Sequence, residues 1–330
     1  MPAATRNPFR RRLLGASLIL GALCAPATLH AQSAWPTKPL RVVVGFAPGG
    51  GTDLMARILA QPLGELLGQS VIVENKPGGS GNIAAGEVIR APADGYTLYI
   101  APTTVQSANP SLIKSNINPA KDLVPLTAIG RMQLHLIVRP GLAVKDLGEL
   151  IAMARANPGK LTYASSGPGT TPHLITEVFL QQTGLEINHI PYRGAGPSLQ
   201  AVLAGETDLV LDPGISFQHV RTGKVRMLSV ASGRRSAAFP DVPTMGEAGV
   251  AGLDLDTWFG IWVPVGTPPE VMAKLSQAVA KALEQPALRQ RFNEIIAEAA
   301  FLNSADFRSL LDKETAVLTR VIKERKINVE

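Results

Sequence analysis

The sequence predicts an α/β fold arranged as two lobes, and three observations carry that prediction. Short β-branched runs alternate with amphipathic stretches along the chain, the pattern of a parallel sheet covered by helices. The chain has 330 residues, 45% of them hydrophobic and 18% charged, which is long for one core and ample for two. A strand, proline-glycine turn and helix unit also occurs twice. One copy is Leu134 to Val138, Arg139-Pro140-Gly141 and a helix through Leu147, Leu150 and Ile151. The other is Phe259 to Val263, Pro264-Val265-Gly266 and a helix through Val271 and Leu275. We read the two units as the places where the chain crosses between lobes, although two ordinary strand–helix units would give the same pattern. The expected division is lobe 1 from residues 35–134 and 257–330, and lobe 2 from residues 135–256.

The elements follow in order. Leu40-Arg41-Val42-Val43-Val44 reads as a strand, followed by a glycine loop and a helix from Asp53 to Leu67. Pro62 falls inside that helix, where it costs about 3 kcal/mol or more, so a kink or break between Ile58 and Pro62 is expected, on a solvated turn. Val71-Ile72-Val73 is the next strand, Ile83 to Arg90 the next helix, and Thr97-Leu98-Tyr99-Ile100 a strand after the Asp94-Gly95 turn. In the second half, strands are expected at residues 161–164, 187–190, 209–211 and 227–230. The C-terminus reads as three helices, from about Glu270 to Leu283, Pro286 to Ala297 and Ala305 to Lys323. Ser304 is the expected N-cap of the last, and Lys323, Arg325 and Lys326 suit the negative end of its dipole.

The formal charge of +6 is concentrated at the N-terminus: residues 1–31 hold Arg6, Arg10, Arg11 and Arg12 and no acid, leaving 28 basic against 26 acidic residues. The basicity therefore does not describe a nucleic-acid surface. Arg10-Arg11-Arg12, the apolar run Leu13 to Cys24 and the Leu29-His30-Ala31 site read as a signal peptide, residues 1–31, cleaved near Ala31. The apolar run is shorter than the ~20 residues of a spanning helix. The flanks fit the twin-arginine route poorly, and Leu23 is too bulky for a lipobox before Cys24. Cys24 is the only cysteine, so the mature chain would have no disulfide or thiolate site, which suits a bacterial periplasm.

Two loops carry the chemistry. The first, Gly45-Phe46-Ala47-Pro48-Gly49-Gly50-Gly51-Thr52-Asp53, joins the first strand to the first helix. The second, Tyr163-Ala164-Ser165-Ser166-Gly167-Pro168-Gly169-Thr170-Thr171-Pro172-His173, does the same in the second half. Glycines let backbone approach a ligand, and each loop delivers amide N–H groups at the positive end of a helix. Such a site holds an anion such as a carboxylate without Lys or Arg, directly or through water. Thr52 and Thr170 read equally well as helix caps. Asp53 reads as a helix-start acid turned away from any anion.

Other chemistries fail on inspection. Gly45 and Gly50 have P-loop spacing, but Gly51 stands where Lys is required. Gly79-Ser80-Gly81-Asn82-Ile83-Ala84 is a loose dinucleotide fingerprint with no acid after the next strand. There is no Gly-x-Ser-x-Gly elbow. His135, His173, His189 and His219 are too scattered for a local metal motif. His173 would line the site or cap its helix, and His189 reads as a structural strand residue. No metal and no cofactor are expected.

With these loops in place, the chain resembles the Bug-type (Bordetella uptake gene) extracytoplasmic receptors, the binding component of tripartite tricarboxylate transporters. The resemblance rests on Trp35-Pro36-Thr37-Lys38-Pro39, the first glycine loop, Val73-Glu74-Asn75-Lys76-Pro77-Gly78 with Gly81-Asn82, and Asp94-Gly95-Tyr96-Thr97-Leu98. It continues through Asn109-Pro110-Ser111-Leu112, Tyr163-Ala164-Ser165 with His173-Leu174, Pro191-Tyr192-Arg193-Gly194, Asp241-Val242-Pro243-Thr244 and Trp258-Phe259-Gly260. It implies a two-lobed periplasmic-binding-protein fold, a Venus flytrap of type II kind, with a hinge of two crossing segments. Carried over to this chain, the carboxylate contacts are Phe46, Ala47, Gly50, Gly51 and Thr52 in the first lobe and Ser165, Ser166, Gly169 and Thr170 in the second. Asn82, Thr103, Thr104, Tyr192, Arg193 and Asp212 are the implied wall residues. Ala101-Pro102-Thr103-Thr104-Val105-Gln106 and Leu211-Asp212-Pro213-Gly214 depart from the family's usual stretches, which puts the ligand's identity in doubt.

The resemblance implies a periplasmic, non-enzymatic monomer that closes around a small carboxylate ligand: a di- or tricarboxylate, an acidic amino acid or an aromatic carboxylate. Its partners would be membrane transport subunits or, in a sensory role, a periplasmic sensor kinase. A secreted carboxylate-handling enzyme is the distant alternative, and it would need a nucleophile–base pair beside the loops.

Overall fold

The computed structural model describes residues 35–253 and 255–328. The signal segment read from residues 1–31, with its arginines, Cys24 and Ala31, lies outside the described residues. From β1 (Leu40–Val44) the chain runs through α1 (Gly51–Leu67), β2 (Val71–Asn75), α2 (Asn82–Ile89) and β3 (Thr97–Pro102). Three single turns, α3 (Thr104–Ser107), α4 (Asn109–Leu112) and α5 (Pro119–Asp122), lead to β4 (Leu123–Met132). Next come β5 (His135–Val138), α6 (Leu147–Ala156), β6 (Thr162–Ser165), α7 (Thr171–Thr183), β7 (Asn188–Pro191), α8 (Ala195–Ala204), β8 (Leu209–Asp212), α9 (Phe217–Arg221) and β9 (Arg226–Val230). The chain ends with β10 (Thr257–Pro264), α10 (Pro269–Glu284), α11 (Pro286–Glu294), β11 (Glu298–Leu302) and α12 (Ser304–Glu324).

These strands form two sheets. The first has the order β11-β4-β10-β3-β1-β2 and the second β7-β6-β8-β5-β9. In the first, β1 lies parallel to β2 and β3, with Val42 opposite Val73 and Leu98. Val42, Val43 and Val44 are all buried, as an interior parallel strand covered on both faces requires. β10 runs antiparallel to β3 and β4, and β11 antiparallel to β4. In the second sheet β6 is parallel to β7 and β8, while β5 is antiparallel to β8 and β9. The chain passes from the first sheet to the second at Gln133-Leu134, between β4 and β5, and returns between β9 and β10.

The last helix belongs to both halves. Phe307 and Leu311 join the core of the first sheet with Tyr99 and Trp262. Leu318, Val321 and Ile322 join the core of the second with Leu174, Val178 and Leu180. Burying each such side chain contributes roughly 1.5–3 kcal/mol, so α12 fastens the two cores together along its length. Its N-cap is Asn303, whose side chain accepts from the amides of Ala305 and Asp306 at 2.9 and 3.0 Å. Ser304, the expected cap, instead donates to the Pro125 carbonyl at 2.6 Å.

The break expected at Pro62 is absent. α1 runs unbroken from Gly51 to Leu67, and Pro62 is buried on its core face with Ile58, Leu59 and Leu63. Apolar burial of the ring, in a helix held by contacts to α10 and α11, offsets the missing hydrogen bond. The sequence reading also overlooked β4, whose Pro125 and Gly130 disguise a ten-residue strand, and β11.

Candidate functional site: a crevice between two helix starts

The first glycine loop is braced from below by a carboxylate. Asp53 accepts the Gly49 amide on Oδ2 at 2.9 Å and takes Arg57 Nε and Asn75 Nδ2 on Oδ1, each at 2.9 Å. Asn75 Nδ2 also donates to the Phe46 carbonyl at 3.0 Å. Burial alone would raise the Asp53 pKa, but the hydrogen bonds from Arg57, Gly49 and Asn75, with the Arg57 charge, hold it below the usual carboxylate range. Asp53 is therefore an ionised strut inside the loop. The loop also sits close on its neighbour: a Cβ at Gly81 would lie 2.7 Å from Tyr99 Oη and 3.4 Å from the Phe46 ring, so only glycine allows the contact. Tyr99 Oη donates to the Gly81 carbonyl at 3.0 Å.

The second loop rests on a column of rings. Ser165 Oγ lies 2.6 Å from His189 Nε2, donates to the Gly167 carbonyl at 3.2 Å and accepts its amide at 3.1 Å. The Gly169 amide donates to His173 Nδ1 at 3.0 Å. The imidazoles of His173 and His189 stack at 4.1 Å, and Tyr163 stacks on His189 at 4.8 Å. Tyr163 Oη donates to Glu177 Oε1 at 2.5 Å, and Glu177 Oε2 takes Arg325 Nε at 2.7 Å. Burial, then the neighbouring His189, pushes the His173 pKa down to about 3. Burial also lowers His189, against the opposing charge of Glu177. His173 is thus a neutral acceptor with its proton on Nε2.

Neither helix start is capped by a side chain. Gly50, the N-cap of α1, has none, and no hydroxyl caps α7. Thr170, the α7 N-cap residue, turns its hydroxyl back to the Gly167 carbonyl at 2.7 Å. The first-turn amides of Gly51 and Thr52, and of Thr171 and His173, are thereby left for another acceptor. The Gly169 amide is not, because His173 takes it. Contacts between the two halves lie beside the loops: Ser80 Oγ, next to the Gly81 that packs on Phe46, donates to the Pro168 carbonyl at 3.4 Å, and the hydroxyls of Thr104 and Thr171 lie 3.5 Å apart.

The remaining expected contact and wall residues divide. Asn82 and Thr104 lie at this junction. Phe46 is half-buried beside Gly81, while Ala47 and Gly50 are exposed. Ser166 is half-buried, and its carbonyl accepts the Gly194 amide at 3.2 Å, which sets Tyr192 and Arg193 against the loop. Thr103 turns away, donating to Glu314 Oε1 of α12 at 2.9 Å. Asp212 is 1% exposed and its Oδ2 accepts from the Gly214 amide, the Ser216 amide and the Ser216 hydroxyl at 2.8, 3.0 and 2.7 Å. A carboxylate facing the crevice would repel an anion, and this one is spent on its own loop. Among the described residues no cluster of three His, Cys, Asp or Glu side chains could hold a metal ion, and no helix is long and apolar enough to cross a membrane.

Comparison with known proteins agrees with this architecture. Residues 55–327 match the Tripartite tricarboxylate transporter family receptor. The chain belongs to that family. Its structure superposes on the periplasmic binding protein BugD with a TM-score of 0.78 at 30% identity, over 89% of this chain and 99% of that one. Rpa4515 of R. palustris, solved with adipate, gives a TM-score of 0.81 at 36% identity over 89% of this chain and 99% of its own. MatC of Rhodopseudomonas palustris, solved with malate, gives 0.77 at 30% over 87% and 100%. The receptor therefore has the two-lobed periplasmic-binding-protein fold.

Proposed function

We propose that this receptor captures a small dicarboxylate in the periplasm and delivers it to the membrane subunits of a tripartite tricarboxylate-type transporter. One observation carries the reading. Two helices, one beside each sheet, present uncapped first turns, and the two halves touch next to them: Ser80, which adjoins the Gly81 that packs on Phe46 of the first loop, reaches Pro168 of the second. Helix N-termini bind anions through amides and dipole, so a carboxylate is held by the amides of Gly51 and Thr52 on one side and by Ser166 and the amides of Thr171 and His173 on the other. The two relatives solved with adipate and malate support a dicarboxylate. The lobes are one per sheet, exchanging chain near residues 133–134 and 231–256, and closure about these crossings is driven by the ligand's differential affinity for the closed state.

Capture without chemistry also fits the one serine–histidine pair at the site. Ser165 and His189 have nucleophile–base spacing, which the sequence reading did not foresee, but Ser165 is 0% exposed and its hydroxyl is engaged by Gly167. It cannot meet a substrate. The test is a thermal-shift screen of mono-, di- and tricarboxylates on the mature protein, with calorimetry on hits. One-to-one stabilisation without turnover is expected; turnover of any of the acids, or no stabilisation by all of them, refutes the reading.

A further inference from the structure

The crevice wall contains a pair of asparagines whose orientations determine each other. Asn109, 1% exposed, sends Nδ2 to the Ser80 carbonyl at 3.0 Å and to Asn82 Oδ1 at 2.9 Å. A backbone carbonyl can only accept, so the first bond identifies Nδ2 of Asn109 as the atom on that side. The second then requires the oxygen of Asn82 to face it, since two NH2 groups at 2.9 Å would repel. Asn82 must therefore turn its own NH2 the other way. That nitrogen has no protein acceptor among the described residues and is not one of the fully enclosed polar atoms, so solvent reaches it.

The surroundings place it between the two loops. Gly81, one residue before, packs on Phe46 of the first loop. Ser80, two before, reaches Pro168 of the second. Ser80 itself has φ 50°, the left-handed region that serine rarely occupies. Strain of this kind persists where the surroundings over-determine it, and Asn109 is the residue that holds the Ser80 carbonyl.

We propose that Asn109 is a specificity-determining positioning residue: it locks the Asn82 amide with its N–H donors toward the ligand, so that this side of the crevice accepts a carboxylate or carbonyl oxygen and rejects an amide or ammonium donor. The inference rests on the crevice being the ligand site. It extends that reading to the polarity of one wall, set by a residue that does not touch the ligand.

The substitution that tests it is Asn109→Asp. A carboxylate at 109 cannot donate to Asn82 Oδ1 when ionised, and if protonated it gives its one hydrogen to Ser80. Either way Asn82 flips, giving its NH2 to residue 109 and its oxygen to the crevice. Two readouts follow. In nitrogen-labelled, ligand-free protein, the side-chain NH2 of Asn82, assigned by its loss in Asn82→Asp, should exchange rapidly with water in the wild type and slowly in Asn109→Asp. In calorimetry with adipate and its monoamide, and with malate and its monoamides, the wild type should prefer the diacid. Asn109→Asp should lose at least about tenfold of that preference or reverse it, the scale expected when a buried donor is exchanged for an acceptor. Slow exchange of the Asn82 NH2 in the wild type, or an unchanged diacid-to-monoamide ratio in Asn109→Asp, overturns the proposal. Wild-type protein that binds no acid at all counts against the receptor reading instead, and the exchange rates still decide the amide's orientation.

Discussion

Lowering the pH from about 7.5 to about 5.0 should cost this protein about 2 kcal/mol through His135 alone. The ring is 0% exposed, and Nδ1 lies 3.2 Å from the Asp212 carbonyl. An edge-to-face contact with Phe217 at 4.7 Å closes one side, and Nε2 is buried without a partner among the described residues. Protonation would place an N–H on Nε2 with nothing to receive it. Burial accordingly pushes the pKa down from 6.5 to about 4, against the opposing hydrogen bond to Asp212. The unfolded chain, with the ordinary value, takes up a proton first as pH falls. The stability associated with neutral His135 is therefore complete above about pH 6.5 and is lost at about 1.4 kcal/mol per pH unit until about pH 4. His135→Leu removes the titration and keeps an apolar filler beside Phe217. At neutral pH the variant should be about 1 kcal/mol less stable for the lost hydrogen bond. By about pH 5 it should be the more stable of the two by about 1 kcal/mol, because the wild type has lost ground that the variant keeps. Urea unfolding of both proteins across this range measures the gap, and the difference between them cancels the carboxylates and His173. A gap that stays constant with pH would refute the assignment of a neutral, acceptor-poor environment to His135.

Three further predictions concern the loops. Gly50→Val should leave the fold intact, since φ at Gly50 is −77° and a Cβ would meet only the Ala47 carbonyl at 3.4 Å; it should nevertheless reduce ligand affinity more than about tenfold by covering the α1 amides, as calorimetry would show. Gly169→Val should lose both, because φ is +74° and a left-handed residue with a side chain costs about 1–2 kcal/mol, read as a lowered melting temperature together with lost binding. Arg325→Ala should destabilise by about 1–3 kcal/mol, less than a fully buried pair because the arginine is partly exposed, and should weaken binding by loosening the Glu177–Tyr163–His189 column beneath the second loop. Unchanged affinity in a clearly destabilised Arg325→Ala protein would show that the column does not position the loop.

Much of this was legible from local pattern. β1 and the glycine loop after it could be read because a covered parallel strand is rich in β-branched residues and a run of three glycines marks a turn that brings backbone close to its neighbours. α10, from Pro269 to Glu284, matched its periodicity almost to the residue. The family was recognisable because short motifs recur in one order over the whole chain. The N-cap of the last helix was misplaced by one residue because Asn303 and Ser304 are both good caps, and local chemistry does not rank them. Pro62 was misread because its cost is local and its compensation, burial against α10 and α11, is not.

By itself the sequence determined the alternation of strands and helices, the two glycine loops and the family, since each depends on residues adjacent in the chain or one helical turn apart. Only the tertiary structure decided which donors are left to a ligand. His189 reaches Ser165 across 24 positions, Arg325 reaches Glu177 across 148, and Ser80 reaches Pro168 across 88. Such pairings are set by how two sheets pack against one shared helix. No spacing rule along the chain encodes whether a given amide, such as that of Gly169, is spent on a histidine or kept open to a carboxylate.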